Sequence, residues 1–148
     1  MYPPVFRDRD RAALNRAGVD EVIRVLREGG ALVGLHPEGK RSTSDDPYTL
    51  LPARPGVGRI IQETKGRTTV IPVFVNGLCN EVGKQVAGNY LGNGERVNIV
   101  FGHPIEFGDL LDGEPSQALH LRISERSLDA VRALGAEERE LRGASVSR

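Results

Sequence analysis

The feature that most constrains this chain is the passage ALVGLHPEGKRS at residues 31–42, where an apolar run gives way within a few residues to a charged loop. Residues 31–35 follow the Gly29-Gly30 break and are predicted to form an inner strand. Pro37 has no backbone N–H to give a ladder, so the strand should end there. Glu38, Gly39, Lys40, Arg41 and Ser42 then lie at its carboxyl edge, where open α/β sheets bind ligands. Gly39 lets the backbone turn and approach a ligand closely. Arg41 presents a planar fork of donors suited to phosphate, Lys40 a point charge and Ser42 a hydroxyl. Glu38, beside two cations, should stay ionised and can hold a guanidinium or accept from a hydroxyl. On their own, these five residues favour a charged strand-to-loop turn on the surface over a binding site.

The chain of 148 residues fits one domain, read as residues 1–142 with a disordered tail at 143–148. Twenty basic side chains balance twenty acidic ones, so bulk charge gives no reason to expect nucleic acid as a partner. The single Cys79 excludes an internal disulfide, suits a reducing compartment, and reads as a small packing residue. No apolar run is long enough to cross a bilayer, and no signal peptide is recognised before the first element. No metal-ligand constellation is predicted.

Residues 7–11 alternate Arg7, Arg9 and Arg11 with Asp8 and Asp10, a pattern that suits either a solvated charge run or an arginine in an anion site. Residues 12–28 are predicted helical, with Val19, Val22, Ile23 and Leu26 on the core face. A polar loop at 43–54 should be folded back by Tyr48, Leu50 and Leu51. Pro55-Gly56 opens a second helix, whose free amides could add to an anion site. Residues 68–75 are predicted to form a central strand, with Pro72 marking an edge, a bulge or special packing. A weak helix at 80–90 should turn Val82 and Val86 inward, and a strand is predicted at 97–101. His103 reads as a strand-end surface residue. An amphipathic helix follows at 116–134, with Leu119, Ile123, Val131 and Leu134 near one face, and continues as a charged helix over 136–142. This order predicts an α/β fold with a largely parallel or mixed sheet flanked by helices.

Three stretches stand out together: Phe6-Arg7-Asp8-Arg9 before a helix, residues 36–42 at a strand end, and Val70-Ile71-Pro72-Val73 in a later strand. Their order and spacing resemble the second, third and fourth sequence blocks of the glycerolipid acyltransferases, the 1-acylglycerol-3-phosphate (lysophosphatidic acid) acyltransferase family. Phe6, Asp8 and Arg9 match a Phe-x-Asp-Arg block. Pro37, Glu38, Gly39, Arg41 and Ser42 match Phe-Pro-Glu-Gly-Thr-Arg-Ser, with His36 for Phe and Lys40 for Thr. The run from Leu51-Pro52 to Gly56 is also similar, as are Asn76-Gly77-Leu78, Val100-Phe101-Gly102 and Pro104-Ile105.

The resemblance implies an incomplete glycerol-phosphate acyltransferase-like fold working in phospholipid biosynthesis. Arg9 and Arg41 would grip the phosphate of a lysophosphatidic acid-like acceptor, with Lys40 and Ser42 beside them, while Glu38 and Gly39 would shape the glycerol site. The acyl thioester donor would be acyl-CoA or acyl-ACP as co-substrate, with no resident cofactor. The full-length protein would work in the cytoplasm, peripheral at the inner face of the cell membrane.

One family block is not matched. It places a general-base His five positions before an orienting Asp. Five residues after His36 comes Arg41, after His103 Gly108, and after His120 Glu125. A separation of five puts His120 and Glu125 on different faces of a helix. No catalytic residue is therefore assigned, and the chain reads as the C-terminal, acceptor-binding part of such an enzyme, with the His/Asp block expected before Met1. Two other readings stay open: a non-catalytic phosphate- or lysolipid-binding module, and a subunit completed by another chain.

Overall fold

The computed structural model describes residues 12–39, 44, 46–78, 82–92 and 97–146. The first helix, α1 (Ala12–Glu28), buries Val22 and Ile23 and half-buries Val19 and Leu26, the stripe expected from the sequence. It stops because Gly29 and Gly30 both take positive φ, +83° and +71°, a conformation that other residues enter only at a cost. The chain then doubles back in an extended segment, and Val33 packs against the cluster of Val22, Ile23 and Ile60.

This segment at 31–36 is not the inner strand that its composition suggests. It joins no ladder among the described residues, and Leu32 is 100% exposed. Alternation explains the difference. Val33 alone turns toward α1, so its neighbours face outward, and no described strand lies beside them to cover them.

The second helix, α2 (Pro55–Glu63), runs beside α1 in the same sense, with Pro55 in its first turn as expected. Arg59 pairs with Asp20 at 2.6 Å. One turn further on, Arg27 donates to the Glu63 carbonyl at 2.8 and 3.0 Å, and Arg67 donates to the Arg27 carbonyl at 3.1 Å. The last helix, α4 (Gln117–Val146), lies against the opposite side of α2. The two approach most closely at Gly58, where an added Cβ would stand 1.8 Å from the His120 carbonyl oxygen. Around this crossing Ile61, Phe107, Leu119 and Ile123 form the main core, with Val57, Val70, Ile105, Leu110 and Leu111 packed on it. A single 3-10 turn at Gly108–Leu111 brings the last two leucines in. α4 continues through Gly143 to Val146, past the point where the sequence suggests a tail; residues 147–148 lie outside the described residues.

The sheet has two strands, β1 (Val73–Asn76) and β2 (Asn98–Phe101), paired antiparallel in the register Val73↔Phe101 to Asn76↔Asn98. The molecule is therefore mixed α/β; where element order led to the expectation of a largely parallel or mixed sheet, the described residues show one antiparallel pair and no parallel pairing. The intervening stretch, with helix α3 (Val82–Tyr90), returns the chain to the adjacent edge in the opposite sense.

β1 is also shorter than the predicted strand at 68–75. Pro72 cannot donate, so pairing upstream of Val73 survives only through carbonyls: Gly102 N–H donates to Pro72 and Ile105 N–H to Val70, both at 2.9 Å. The register puts Val73, Val75, Ile99 and Phe101 on one face and Phe74 and Asn76 on the other, against α4. The first face is bare, with Phe101 69% exposed. α3 also stands off from the core. Val86, expected to point inward, is exposed, as are Tyr90 and Leu91.

Candidate functional site

His36, Pro37, Glu38 and Gly39 form a tight turn closed by Gly39 N–H donating to the His36 carbonyl at 2.9 Å. Gly39 has φ +69°, where a Cβ is disfavoured, and an added Cβ would also meet Arg54 Cγ at 3.1 Å. The turn is clamped from the far side of the loop: Arg54 N–H donates to the Pro37 carbonyl at 2.7 Å, and Leu51 N–H donates to the Glu38 carboxylate at 2.5 Å. Glu38 is thus buried to 9% exposure and braces the 50–54 segment, a structural contact that its neighbours in sequence did not announce.

Arg54 is also the residue that precedes α2, so the turn abuts the start of that helix. Pro55 has no N–H, and Gly58 N–H is taken by the buried Ser124 hydroxyl at 2.8 Å. The Gly56 and Val57 amides have no partner among the described residues, so a partial positive charge remains beside Gly39.

The antiparallel run of α1 and the 31–36 segment brings two distant parts of the chain to this end. From the Val33 contact, Gly39 lies up to about 20 Å along the extended chain. Ala12 lies about 15 Å back along the helix in the same general direction. Ala12 therefore lies toward the side of the molecule where residues 36–39 turn. Of the six sequence-derived site residues, Glu38 and Gly39 are adjacent in this turn. Arg9, Lys40, Arg41 and Ser42 lie outside the described residues.

Replacing Gly39 tests the turn. Gly39→Ala is expected to lower stability by about 1–2 kcal/mol, the cost of a left-handed non-glycine residue. Urea unfolding followed by circular dichroism measures it, and an unchanged midpoint would mean that the turn can relax.

A second polar centre, which sequence reasoning missed, lies behind the loop. Glu138 is 2% exposed, and its carboxylate accepts from Tyr48 Oη at 2.8 Å, Asn76 Nδ2 at 3.0 Å, Asn98 Nδ2 at 2.6 Å and Arg142 Nε at 2.9 Å. Burial by itself would raise its pKa, but the hydrogen bonds from Asn98, Asn76, Tyr48 and Arg142 outweigh it and hold the group down at about 2. All of this carboxylate's hydrogen-bonding capacity is spoken for, so it is a brace and not a reacting group. Only the i, i+4 pair with Arg142 could have been suspected from sequence. In the acidic run Glu137, Glu138, Glu140, nothing marks the middle residue as buried.

None of the three histidines is hydrogen-bonded to a carboxylate among the described residues. His120 Nε2 lies 2.9 Å from Gln62 Oε1, and Gln62 Nε2 donates to the Gly113 carbonyl at 2.8 Å. Because Gln62 Oε1 can only accept, His120 carries its proton on Nε2. Burial, then the Arg59 charge, lowers the imidazole pKa and favours the neutral form. His103 is exposed just beyond β2, as its position in sequence implies.

Among the described residues, no helix is long and apolar enough to cross a membrane. No curated protein and no solved structure matches this chain. The Acyltransferase family model matches residues 2–76. That span takes in Phe6, Asp8 and Arg9, residues 36–42 and the Val70-Ile71-Pro72-Val73 stretch. It covers half of the chain, and the chain belongs to the Acyltransferase family.

Proposed function

We propose that this acyltransferase-family chain binds a lysophosphatidic acid-like acceptor for transfer of a fatty acyl group from acyl-CoA or acyl-ACP in phospholipid biosynthesis. The observation that carries the reading is the Glu38-Gly39 turn, held by Leu51 and Arg54 beside the start of α2, where the Gly56 and Val57 amides have no partner among the described residues. Lys40, Arg41 and Ser42 follow that turn in sequence, and Arg9 lies three residues before α1 in sequence. In this reading Arg9 and Arg41 clasp the phosphate, Lys40 adds charge, Ser42 adds a hydroxyl, and Gly39 gives the glycerol room. The Glu38 carboxylate shapes the site by keeping the 50–54 segment in place. The protein would act in the cytoplasm at the inner face of the membrane.

The same reading predicts little acyl transfer by this chain alone. No histidine in the sequence is followed five positions later by Asp. Attack by an unassisted hydroxyl is typically about 10²–10⁴-fold slower than with a positioned base. Titration with lysophosphatidic acid tests binding, and a thioester-cleavage assay with acyl-CoA tests turnover. Arg41→Ala is expected to weaken phosphate-dependent binding about tenfold or more, as loss of a charge-assisted hydrogen bond implies. Equal binding by the variant would remove the phosphate site. Efficient turnover by the chain alone would overturn its predicted inactivity. Binding without turnover also fits a non-catalytic lysolipid-binding module, which the absence of the His/Asp pair from this sequence favours as the second reading.

A further inference from the structure

Between the loop at 46–51 and α4 lies a cavity of about 210 Å³. Its floor is the buried Phe74 ring and Gly135, and Tyr48, Leu50 and Ala136 form its walls. A Cβ added at Gly135 would lie 3.0 Å from Phe74 Cε2, a tight contact that the ring would have to yield to. Arg132 and Arg139 also line it, and no carboxylate does so among the described residues. The two arginines are seven residues apart on α4, nearly two turns, so they flank the opening on one face about 10 Å apart. Arg132 pairs with Asp129. The Arg139 guanidinium lies over the Tyr48 ring, 5.0 Å from its centroid, and has no ion pair among the described residues. The loop wall is well defined. Asp46 caps it by accepting from Tyr48 N–H at 3.2 Å and Thr49 Oγ1 at 2.8 Å, and Tyr48 stacks on Phe74 with ring centroids 5.8 Å apart.

We propose that this notch binds an anionic amphiphile, taking a short hydrocarbon stem onto the Phe74–Gly135 floor with the anionic head on Arg139. The cavity is smaller than a drug-sized pocket, so it holds a stem of a few carbons and leaves the head at the rim. A free inorganic anion would gain the guanidinium and waste the apolar floor. A neutral alcohol would fill the floor and leave the guanidinium with only the Tyr48 ring and the nearby Asp46 carboxylate. Carboxylate and phosphate heads share the chemistry that Arg139 recognises. None of residues 36–39 lines the notch, and the proposal concerns the notch alone. Occupancy does have a consequence for that site. Leu50 lines the notch and the next residue, Leu51, holds Glu38, so a bound stem stiffens the clamp on the turn.

The test is a titration of the full chain with hexyl phosphate, hexanoate, inorganic phosphate and hexanol, followed by backbone amide NMR shifts. Hexyl phosphate and hexanoate are expected to shift the Leu50 and Gly135 amides and to bind at least about tenfold tighter than inorganic phosphate or hexanol. Burial of two methylenes is enough for the ratio over inorganic phosphate, and a charge-assisted hydrogen bond to Arg139 for the ratio over hexanol. Ala136→Leu, at an exposed helical position, fills the notch and should cut binding at least tenfold. Arg139→Gln should cut binding of both anions severalfold while leaving hexanol unchanged. Circular dichroism confirms that each variant is folded. Arg41→Ala should leave the Leu50 and Gly135 shifts intact. The proposal fails if Ala136→Leu and Arg139→Gln bind like the parent, if the shifts map elsewhere, or if Arg41→Ala alone abolishes them.

Discussion

Gly58→Ala is expected to cost most or all of the stability of the fold. An added Cβ would stand 1.8 Å from the His120 carbonyl oxygen and 2.7 Å from its carbon, both backbone atoms of α4. A side-chain tip could swing aside, but a helix backbone cannot, so α2 and α4 must separate. Separation breaks the Gly58 N–H bond to Ser124 Oγ, leaving a buried hydroxyl and a buried amide unsatisfied at about 1–3 kcal/mol. It also loosens the packing of Ile61 against Leu119 and Ile123 at the centre of the main core. Overpacking alone typically costs about 1–3 kcal/mol, so the combined loss should reach about 4 kcal/mol or more. Few domains of this size keep a wide margin beyond that. Thermal and urea unfolding check the prediction. A variant within about 1 kcal/mol of the parent would mean that the two helices do not cross at this residue. Gly56→Ala, where an added Cβ meets nothing within 4 Å, is the matched control.

Much of this was visible in the residues, for physical reasons that can be named. α1 and α4 carry an apolar stripe at the helical period, and periodicity survives whatever surrounds the helix. Pro55 marks the start of α2, and Gly29-Gly30 the end of α1, because those residue types fit the backbone geometry found there. Pro37 likewise stops the extended run where a turn begins. Sheet pairing was not legible, because a strand takes its identity from a neighbour that its own sequence does not specify. Residues 31–35 have strand composition and no ladder partner among the described residues, while residues 68–72 lose regular pairing at Pro72. Of the candidate site, glycine and charge marked the turn, but the bond from Leu51 to Glu38 could not be read. It joins two loops thirteen residues apart with no periodic relation. Residues 9 and 40–42 lie outside the described residues, so their part in the site rests on sequence.

Replacing the buried carboxylate should have the second largest effect, with its own pH signature. The folded-state pKa of Glu138 is about 2, below the ordinary value of 4.5. A depressed acid pKa means that the folded state prefers the ionised form. The resulting stability is fully present above about pH 5 and is lost as pH falls through 4.5 toward 2. A shift of that size corresponds to at most about 3 kcal/mol. Its source is concrete: two asparagine amides, the Tyr48 hydroxyl and the Arg142 guanidinium all point at the carboxylate, and protonation or removal of its charge leaves donors facing each other. Glu138→Gln keeps the volume and removes the charge. It should therefore lower stability by about 3 kcal/mol at pH 7 and by almost nothing near pH 2. Urea unfolding of both proteins across that range should give curves that converge on acidification. Parallel curves would show that the charge is not what the four donors hold. The consequence reaches the loop, because Tyr48 gives its hydroxyl to Glu138 and its ring to Phe74 and Arg139. Freeing it would loosen the 46–51 wall and, through Leu51, the clamp on Glu38. A brace at residue 138 thus helps to set the geometry of a turn a hundred residues earlier in the chain.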